Sequence, residues 1–309
     1  TVNTMGIVVA LLFIMGASTL SAVSGVGKGI KWLSNINMVL SIVLLGFFII
    51  FGATWCGATA FFIGIWDYLI ALPSMSFNVW SSDGVDGSES FLLTQWQGWW
   101  PVFYWAWWIA FAPFVGLFLA RISRGRSIRE FVLGAMIVPS LMCFVWFAWA
   151  GGTAIDLELN GGASGVIFDA ANGDKIFAMT EFMLAPIAEA LAWCMAMLIV
   201  VLQMTFLVTS ADSAVLIVNT INAAGDEGPK ARPHILFWGA ALALVVGGLL
   251  ISGGTSAIQT AMVIGALPFS IVMVLMCLSL IQAISTDGNR EATGVPTVHS
   301  EIDGATPAE

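Results

Sequence analysis

The chain has 309 residues, of which 59% are hydrophobic and 9% are charged, and its mean hydropathy is +0.95. Soluble domains carry about 25% charged residues, so this composition indicates a membrane protein. The formal charge is −9 and no extended basic segment occurs, which argues against nucleic-acid binding. Four scattered cysteines without CxxC spacing and only two histidines give no pattern of a metal centre or a disulfide framework.

A helix needs about 20 apolar residues to cross the hydrocarbon core of a bilayer. Seven stretches meet this requirement, at residues 3–23, 34–55, 99–121, 128–150, 192–222, 234–252 and 256–284. They predict an all-α integral membrane protein.

The segments between these spans have their own patterns. Residues 57–80 are apolar but contain Asp67 and Pro73, so we expect an interfacial amphipathic helix rather than a span. Gly253 and Gly254 predict a tight external turn, and residues 175–190 predict a short, partly re-entrant external segment. The tail from Thr286 to Glu309 is rich in Gly, Pro, Thr and acidic residues and is expected to be disordered.

The distribution of basic residues predicts the orientation. When the loops are assigned alternately to the two sides, Lys175 falls alone on one side. The other nine basic residues fall together: Lys28, Lys31, Arg121, Arg124, Arg126, Arg129, Lys230, Arg232 and Arg290. By the positive-inside rule the second side is cytoplasmic, so the chain is expected to start outside and end inside.

The third span is unusually aromatic. Trp107, Phe111 and Phe114 recur at helical spacing and share one face, with Tyr104 and Trp108 beside them. Electron-rich rings in a desolvated site bind cations, which predicts a cation-binding aromatic box. The alternative is an interfacial aromatic belt. Pro113 predicts either a freed carbonyl at a midplane site or a simple packing kink.

The fifth span contains hydroxyls at Thr209, Ser210 and Ser213 and an acid at Asp212. An acid inside a membrane span is a candidate functional residue, and hydroxyl and carbonyl oxygens suit a hard cation such as sodium. In the alternative interpretation the hydroxyls bond to the backbone of their own helix, and Asp212 pairs with a loop arginine.

Four segments resemble the betaine/choline/carnitine transporter (BCCT) family, in the expected order. They are SAVSGVGKGIKWLSN at 21–35, FYWAWWIAFAPFVGLFLARISRGRSIREFVLG at 103–134, FLVTSADSA at 206–214 and ISGGTSAIQTAMVIGALPFS at 251–270. The resemblance implies an inverted-repeat secondary transporter of the leucine-transporter type, with twelve spans.

By that comparison the chain is N-terminally truncated and supplies the sixth to twelfth spans. Residues 1–56 would hold the last two spans of the first repeat, and residues 57–98 the interfacial helix and an external loop. Residues 99–285 would form the second repeat of five spans, followed by a cytoplasmic tail at 286–309.

The resemblance also implies site residues. Trp107 and Trp108 match tryptophans that contact a quaternary ammonium group, and Phe111 stands where many members have a third tryptophan. Thr209 and Ser210, with the backbone carbonyl of Phe206, match a sodium site. Phe114 matches a residue near a second sodium position.

The implied function is sodium-coupled import of a quaternary ammonium or sulfonium compound, of the glycine betaine, choline or dimethylsulfoniopropionate class, by alternating access. The alternatives are a sodium-independent carnitine-type exchanger and a proton-coupled choline carrier. We expect no enzymatic activity and no cofactor, with Na⁺ as the coupling ion. The expected setting is the inner membrane of a bacterium, with the lipid bilayer and other copies in a homotrimer as partners, and no nucleic acid.

Overall fold

The computed structural model describes residues 4–24, 31–123, 125–223 and 232–293. Eleven α-helices and no strands occur in these ranges. They are α1 (Thr4–Ser24), α2 (Lys31–Phe51), α3 (Thr54–Phe77), α4 (Glu89–Gln97), α5 (Phe103–Ile122), α6 (Ile128–Val132), α7 (Val138–Trp146), α8 (Gly152–Leu159), α9 (Lys175–Leu184), α10 (Glu189–Asn222) and α11 (Arg232–Ala292). The predicted all-α class is confirmed. Lys28, Arg124, Lys230 and the tail beyond Thr293 lie outside the described residues.

Seven helical stretches in the described ranges are long and apolar enough to cross a membrane: 4–23, 31–51, 54–77, 89–120, 128–159, 189–222 and 232–290. This set differs from the predicted one at two places. It includes α3, which continues through Asp67 and Pro73, and it joins the last two predicted spans into one stretch. Length and composition therefore allow α3 to span, and its predicted interfacial position stays a prediction.

The joined stretch, α11, is interrupted where the sequence predicted a turn. Gly253 and Gly254 have non-helical backbone angles, with φ −154° and ψ 15° at the first and φ 63° and ψ −148° at the second. A positive φ with extended ψ is accessible essentially to glycine alone, so Gly254 ends one helical segment and begins another.

The end of α11 corrects the expected disorder from Thr286, because the helix continues to Ala292. Extension of an existing helix adds one hydrogen bond per residue without a new nucleation cost, which favours the polar residues 286–292 as helix. The Thr293 hydroxyl then bonds the Asn289 carbonyl at 2.9 Å.

The chain divides into two compact units, one within residues 1–79 and 118–251 and the other within 80–117 and 252–309. The first unit has its main core between α2, α9 and α10. Phe48 on α2 is fully buried and meets Trp146 edge to face, with ring centroids 5.9 Å apart. Ile199 and Leu202 of α10 belong to the same cluster, and Val215 packs with Ala22 and Ile235 in a second one.

Three π-helical turns, at 98–102, 133–137 and 147–151, connect neighbouring α-helices. Pro101 lies in the first and Pro139 follows the second by two residues. A proline lacks the N–H that would bond four residues back, so the preceding turn widens. Thr153, in α8 just after the third turn, donates its hydroxyl to the carbonyl of Trp149 within that turn at 2.6 Å.

The segment around the third turn also contacts α3. The Ala53 N–H, at the start of α3, donates to Thr153 Oγ1 at 3.1 Å. Gly57 is the buried residue of α3, and a Cβ built there would lie 3.1 Å from the Trp149 Cα. The absence of a side chain at Gly57 therefore allows α3 to approach the helical stretch at 128–159 closely.

Candidate functional site

The middle of α10 carries a ladder of hydroxyls bonded to its own backbone. Thr205 donates to the Val201 carbonyl at 2.8 Å, and Ser213 donates to the Thr209 carbonyl at 2.9 Å. Between them, Thr209 Oγ1 lies 3.0 Å from both the Thr205 and the Phe206 carbonyl oxygens. The back-bonding expected in the alternative interpretation is therefore present.

Back-bonding and cation binding are compatible at Thr209. A hydroxyl has one hydrogen and two lone pairs, so an oxygen that donates to a carbonyl can still accept or ligate. Thr209 Oγ1 and the Phe206 carbonyl lie on one turn, and Ser210 is exposed beside them. Oxygens of this type are what a hard cation prefers.

A residue that the sequence analysis missed also contacts this turn. Asn37, on α2, is 4% exposed, and its Nδ2 donates to Thr209 Oγ1 at 3.2 Å. The sequence does contain one indication of this residue, an amide side chain inside the apolar run of α2. Polar groups at membrane depth usually have a hydrogen-bond partner or a functional role.

Asp212 is fully buried and bonded to neutral partners. Ser21, on α1, donates to Asp212 Oδ2 at 2.8 Å, and Ser213 Oγ lies 3.2 Å from Asp212 Oδ1. Among the described residues the hydrogen-bond partners of the carboxylate are Ser21 and Ser213 rather than the loop arginine of the alternative interpretation, and Arg124 lies outside the described residues. Ser21 is 191 positions away from Asp212 in the chain, so the spacing of residues within α10 could not have predicted this contact.

The aromatic residues of α5 lie in the other unit. Trp107 contacts Tyr104 and Phe103, with ring centroids 5.8 Å and 6.0 Å away. Phe111 and Phe114 form a separate pair at 4.9 Å. The helix continues through Pro113.

These rings present open faces. Trp107 is 41% exposed, Trp108 is 63% exposed and Phe111 is 40% exposed. Trp107 and Phe111 lie on the predicted shared face of α5, and Trp108 lies on the part of the helix surface next to it. Such faces can receive a cation.

The family description "BCCT, betaine/carnitine/choline family transporter" matches residues 1–289. The chain belongs to this family. Its members are transporters and not enzymes, and the seven apolar crossings agree with a multi-pass membrane protein.

Three relatives illustrate the similarity. A glycine betaine/proline/choline transporter of Vibrio parahaemolyticus is 39% identical over 90% of this chain and 47% of its own length. A glycine betaine transporter of Bacillus subtilis is 38% identical over 91% of the chain and 51% of its own. An ectoine/hydroxyectoine transporter of Virgibacillus pantothenticus is 37% identical over 86% of the chain and 50% of its own. The chain thus spans about half the length of these relatives.

Proposed function

We propose that the transporter imports a quaternary ammonium or sulfonium osmolyte, of the glycine betaine class, by sodium symport and alternating access. The proposal is carried by the open aromatic faces of Trp107, Trp108 and Phe111 on α5. Similarity to the glycine betaine transporters of Vibrio parahaemolyticus and Bacillus subtilis supports the substrate class.

In the proposed binding step, the rings of α5 replace water around the onium group. An onium ion cannot donate N–H or O–H hydrogen bonds, so the negative ring faces are its best available partners in an apolar setting. The carboxylate of a betaine would need hydrogen-bond donors from elsewhere in the protein, because an aromatic face supplies none.

In the proposed coupling step, sodium binds the Thr209 and Ser210 hydroxyls and the Phe206 carbonyl. A ligand shifts a conformational equilibrium only by its differential affinity for the two states. Sodium would therefore favour the state in which these oxygens converge with the remaining ligands, and that state would bind substrate. Phe114 is proposed to lie near a second sodium position.

The test is uptake of labelled glycine betaine into proteoliposomes containing the transporter expressed from its complete reading frame. An inward sodium gradient should drive accumulation, and an equal potassium gradient should not. Competition by choline, dimethylsulfoniopropionate, proline and ectoine ranks the substrates. Uptake that is unaffected by replacing sodium would reject symport, and a proton gradient or preloaded substrate would then distinguish proton coupling from exchange.

A second substrate class is favoured by one observation. Phe111 replaces the third tryptophan expected from the family resemblance, and one relative is an ectoine/hydroxyectoine transporter. The amidinium cation of ectoine has N–H donors and can bind through hydrogen bonds, so it depends less on cation–π attraction than a trimethylammonium group, which has none. Stronger competition by ectoine than by glycine betaine would identify this class.

We also propose location and assembly. The charge bias of the loops supports insertion in the inner membrane of a bacterium with the C-terminus in the cytoplasm. The largely exposed apolar surface of α3 supports contact with lipid or with other copies in a homotrimer. Cysteine labelling from each side of the membrane tests the orientation, and cross-linking in membranes tests the trimer.

A further inference from the structure

We propose that Asn37 is a positioning residue of the cation site on α10, acting through the hydroxyl of Thr209. The inference rests on the proposed sodium coupling, because Thr209 is one of the proposed ligands. It adds α2 to the elements that determine sodium affinity.

The first observation is the contact itself. Asn37 Nδ2 donates to Thr209 Oγ1 at 3.2 Å, and Asn37 is 4% exposed. The two residues are 172 positions apart, so the bond joins α2 directly to the turn that carries the proposed ligands. A buried amide is fixed in place by its surroundings and can therefore fix its partner.

The second observation is the hydrogen-bond inventory of Thr209. Its single hydrogen is shared between the Thr205 and Phe206 carbonyls, each 3.0 Å away. In helices threonine divides between two χ1 rotamers because its hydroxyl can reach either carbonyl. The Asn37 donor occupies one lone pair, which selects the rotamer and leaves the second lone pair for a cation.

The same bond affects the Phe206 carbonyl. When the Thr209 hydrogen is directed to Thr205, the Phe206 oxygen keeps a lone pair for the cation. When the hydrogen is directed to Phe206, the Thr209 hydroxyl and the Phe206 carbonyl, both proposed sodium ligands, are bonded to each other instead. A donor that fixes Thr209 therefore also controls how available the Phe206 carbonyl is.

The third observation is an unmet acceptor. Within the described part of the chain, Asn37 Oδ1 is buried and has no hydrogen-bond partner. Asn37, Thr209 and Phe206 line one cavity of about 580 Å³ between α2, α7 and α10. A buried amide oxygen without a donor is unfavourable. A water molecule bound to a cation in this cavity could donate a hydrogen bond to Asn37 Oδ1 and satisfy it.

The experiment is a double-mutant cycle in the full transporter, reconstituted in proteoliposomes. Initial rates of glycine betaine uptake are measured against sodium concentration for wild type, Asn37→Ala, Thr209→Val and the double variant. Substrate half-saturation and maximal rate are measured in parallel. Ser41→Ala is the matched control, because Ser41 is on α2 and lines the same cavity.

The expected result is a roughly fivefold or greater rise in the sodium half-saturation of Asn37→Ala, the size of one lost hydrogen bond. The double variant should match Thr209→Val alone, because Asn37 acts through that hydroxyl. Ser41→Ala should remain within twofold of wild type. Substrate half-saturation at saturating sodium should change little in Asn37→Ala.

Three outcomes oppose the inference, and they differ in meaning. Sodium-independent uptake by wild type would reject the proposed function itself. Sodium-dependent uptake with a normal Asn37→Ala, or with fully additive effects, would reject the positioning role alone. If Asn37→Ala and the similarly sized Asn37→Leu both fail to fold while Ser41→Ala folds, Asn37 is structural and the inference is overturned.

Discussion

The Ser21 hydroxyl of α1 donates a 2.8 Å hydrogen bond to the buried carboxylate of Asp212 on α10. Both helices are apolar along most of their length, so this hydrogen bond lies within an otherwise apolar helix–helix contact. The bond matters for stability, because a buried acceptor that loses its donor retains the full free-energy cost of its desolvation.

Replacement of Ser21 by alanine is therefore expected to destabilise the folded transporter by about 1–3 kcal/mol. Asp212→Asn should be milder than Asp212→Ala, because the amide keeps an acceptor for the Ser21 hydroxyl. Thermal unfolding of the purified protein in detergent measures both. Thr260→Ala is the control, since Thr260 is exposed and bonds only the Ser256 carbonyl in the described contacts. Equal loss of stability in Ser21→Ala and Thr260→Ala would contradict the assignment.

Phe111→Trp is expected to tighten onium binding by roughly fivefold, because indole offers a stronger face to a cation than phenyl does. Phe111→Leu should weaken binding, since it keeps apolar volume and removes the ring. Competition against labelled glycine betaine measures each affinity. Trp105→Phe is the control on the opposite side of α5 from Trp107. Unchanged affinity in both Phe111 variants, for every onium tested, would remove Phe111 from the proposed box.

Thr209→Val should raise the sodium half-saturation roughly tenfold, because valine keeps the branched shape and loses the ligating oxygen. Thr209→Ser should retain most of the affinity. Thr205→Val is a closely matched control, because Thr205 back-bonds in the same way one turn earlier and is not among the proposed ligands. Similar effects from both valine variants would point to helix packing rather than to sodium.

Gly57→Val is expected to weaken the attachment of α3, at a cost of about 1–3 kcal/mol from overpacking against Trp149. Gly64→Val, on the same helix, is the control because nothing lies within 4 Å of a Cβ built there. Cross-linking between α3 and the helical stretch at 128–159, together with thermal unfolding, measures the difference. Indistinguishable behaviour of the two variants would argue against the close approach at Gly57.

One prediction concerns pH at the loop before α4. The Ser88 hydroxyl and, next, the Val85 N–H donate to Asp83 and hold its pKa below the ordinary value. A lowered pKa means that the carboxylate form supports the folded loop above the unfolded pKa, and this support is lost as pH falls through the folded pKa. Amide exchange at Val85 should therefore accelerate, relative to its intrinsic rate, on acidification below pH ~4. Asp83→Asn should show no such step.

The fold was largely accessible from the sequence where the signal is local. Runs of apolar residues placed most crossings, and the pair Gly253–Gly254 marked the break in α11, because a positive φ has a residue-level signature. The extent of α3 was less accessible. Asp67 and Pro73 suggested an interfacial helix rather than a span, whereas the helix that contains both, Thr54–Phe77, is long and apolar enough to cross a membrane.

The polar contacts of the candidate site were not accessible from local patterns. Thr209 and Asp212 were identified as candidates, whereas their partners Asn37 and Ser21 were not. These partners lie on other helices, and side-chain pairing across helices depends on rotation and crossing of the helices, which a single sequence does not specify. The exposed rings of α5 were predicted as a group, but their division into a cluster around Trp107 and a separate pair, Phe111 and Phe114, was not.

The π-helical turns have a consequence for how the length of this transporter can vary. Each such turn closes its hydrogen bonds over one residue more than an α-helical turn. The crossing at 128–159 contains two of them, at 133–137 and 147–151. Deletion of one residue at either turn would convert it to ordinary α-helix and leave the side chains beyond it in register. Single-residue length changes among related transporters should therefore concentrate at these two places and be rare in the unbroken α10.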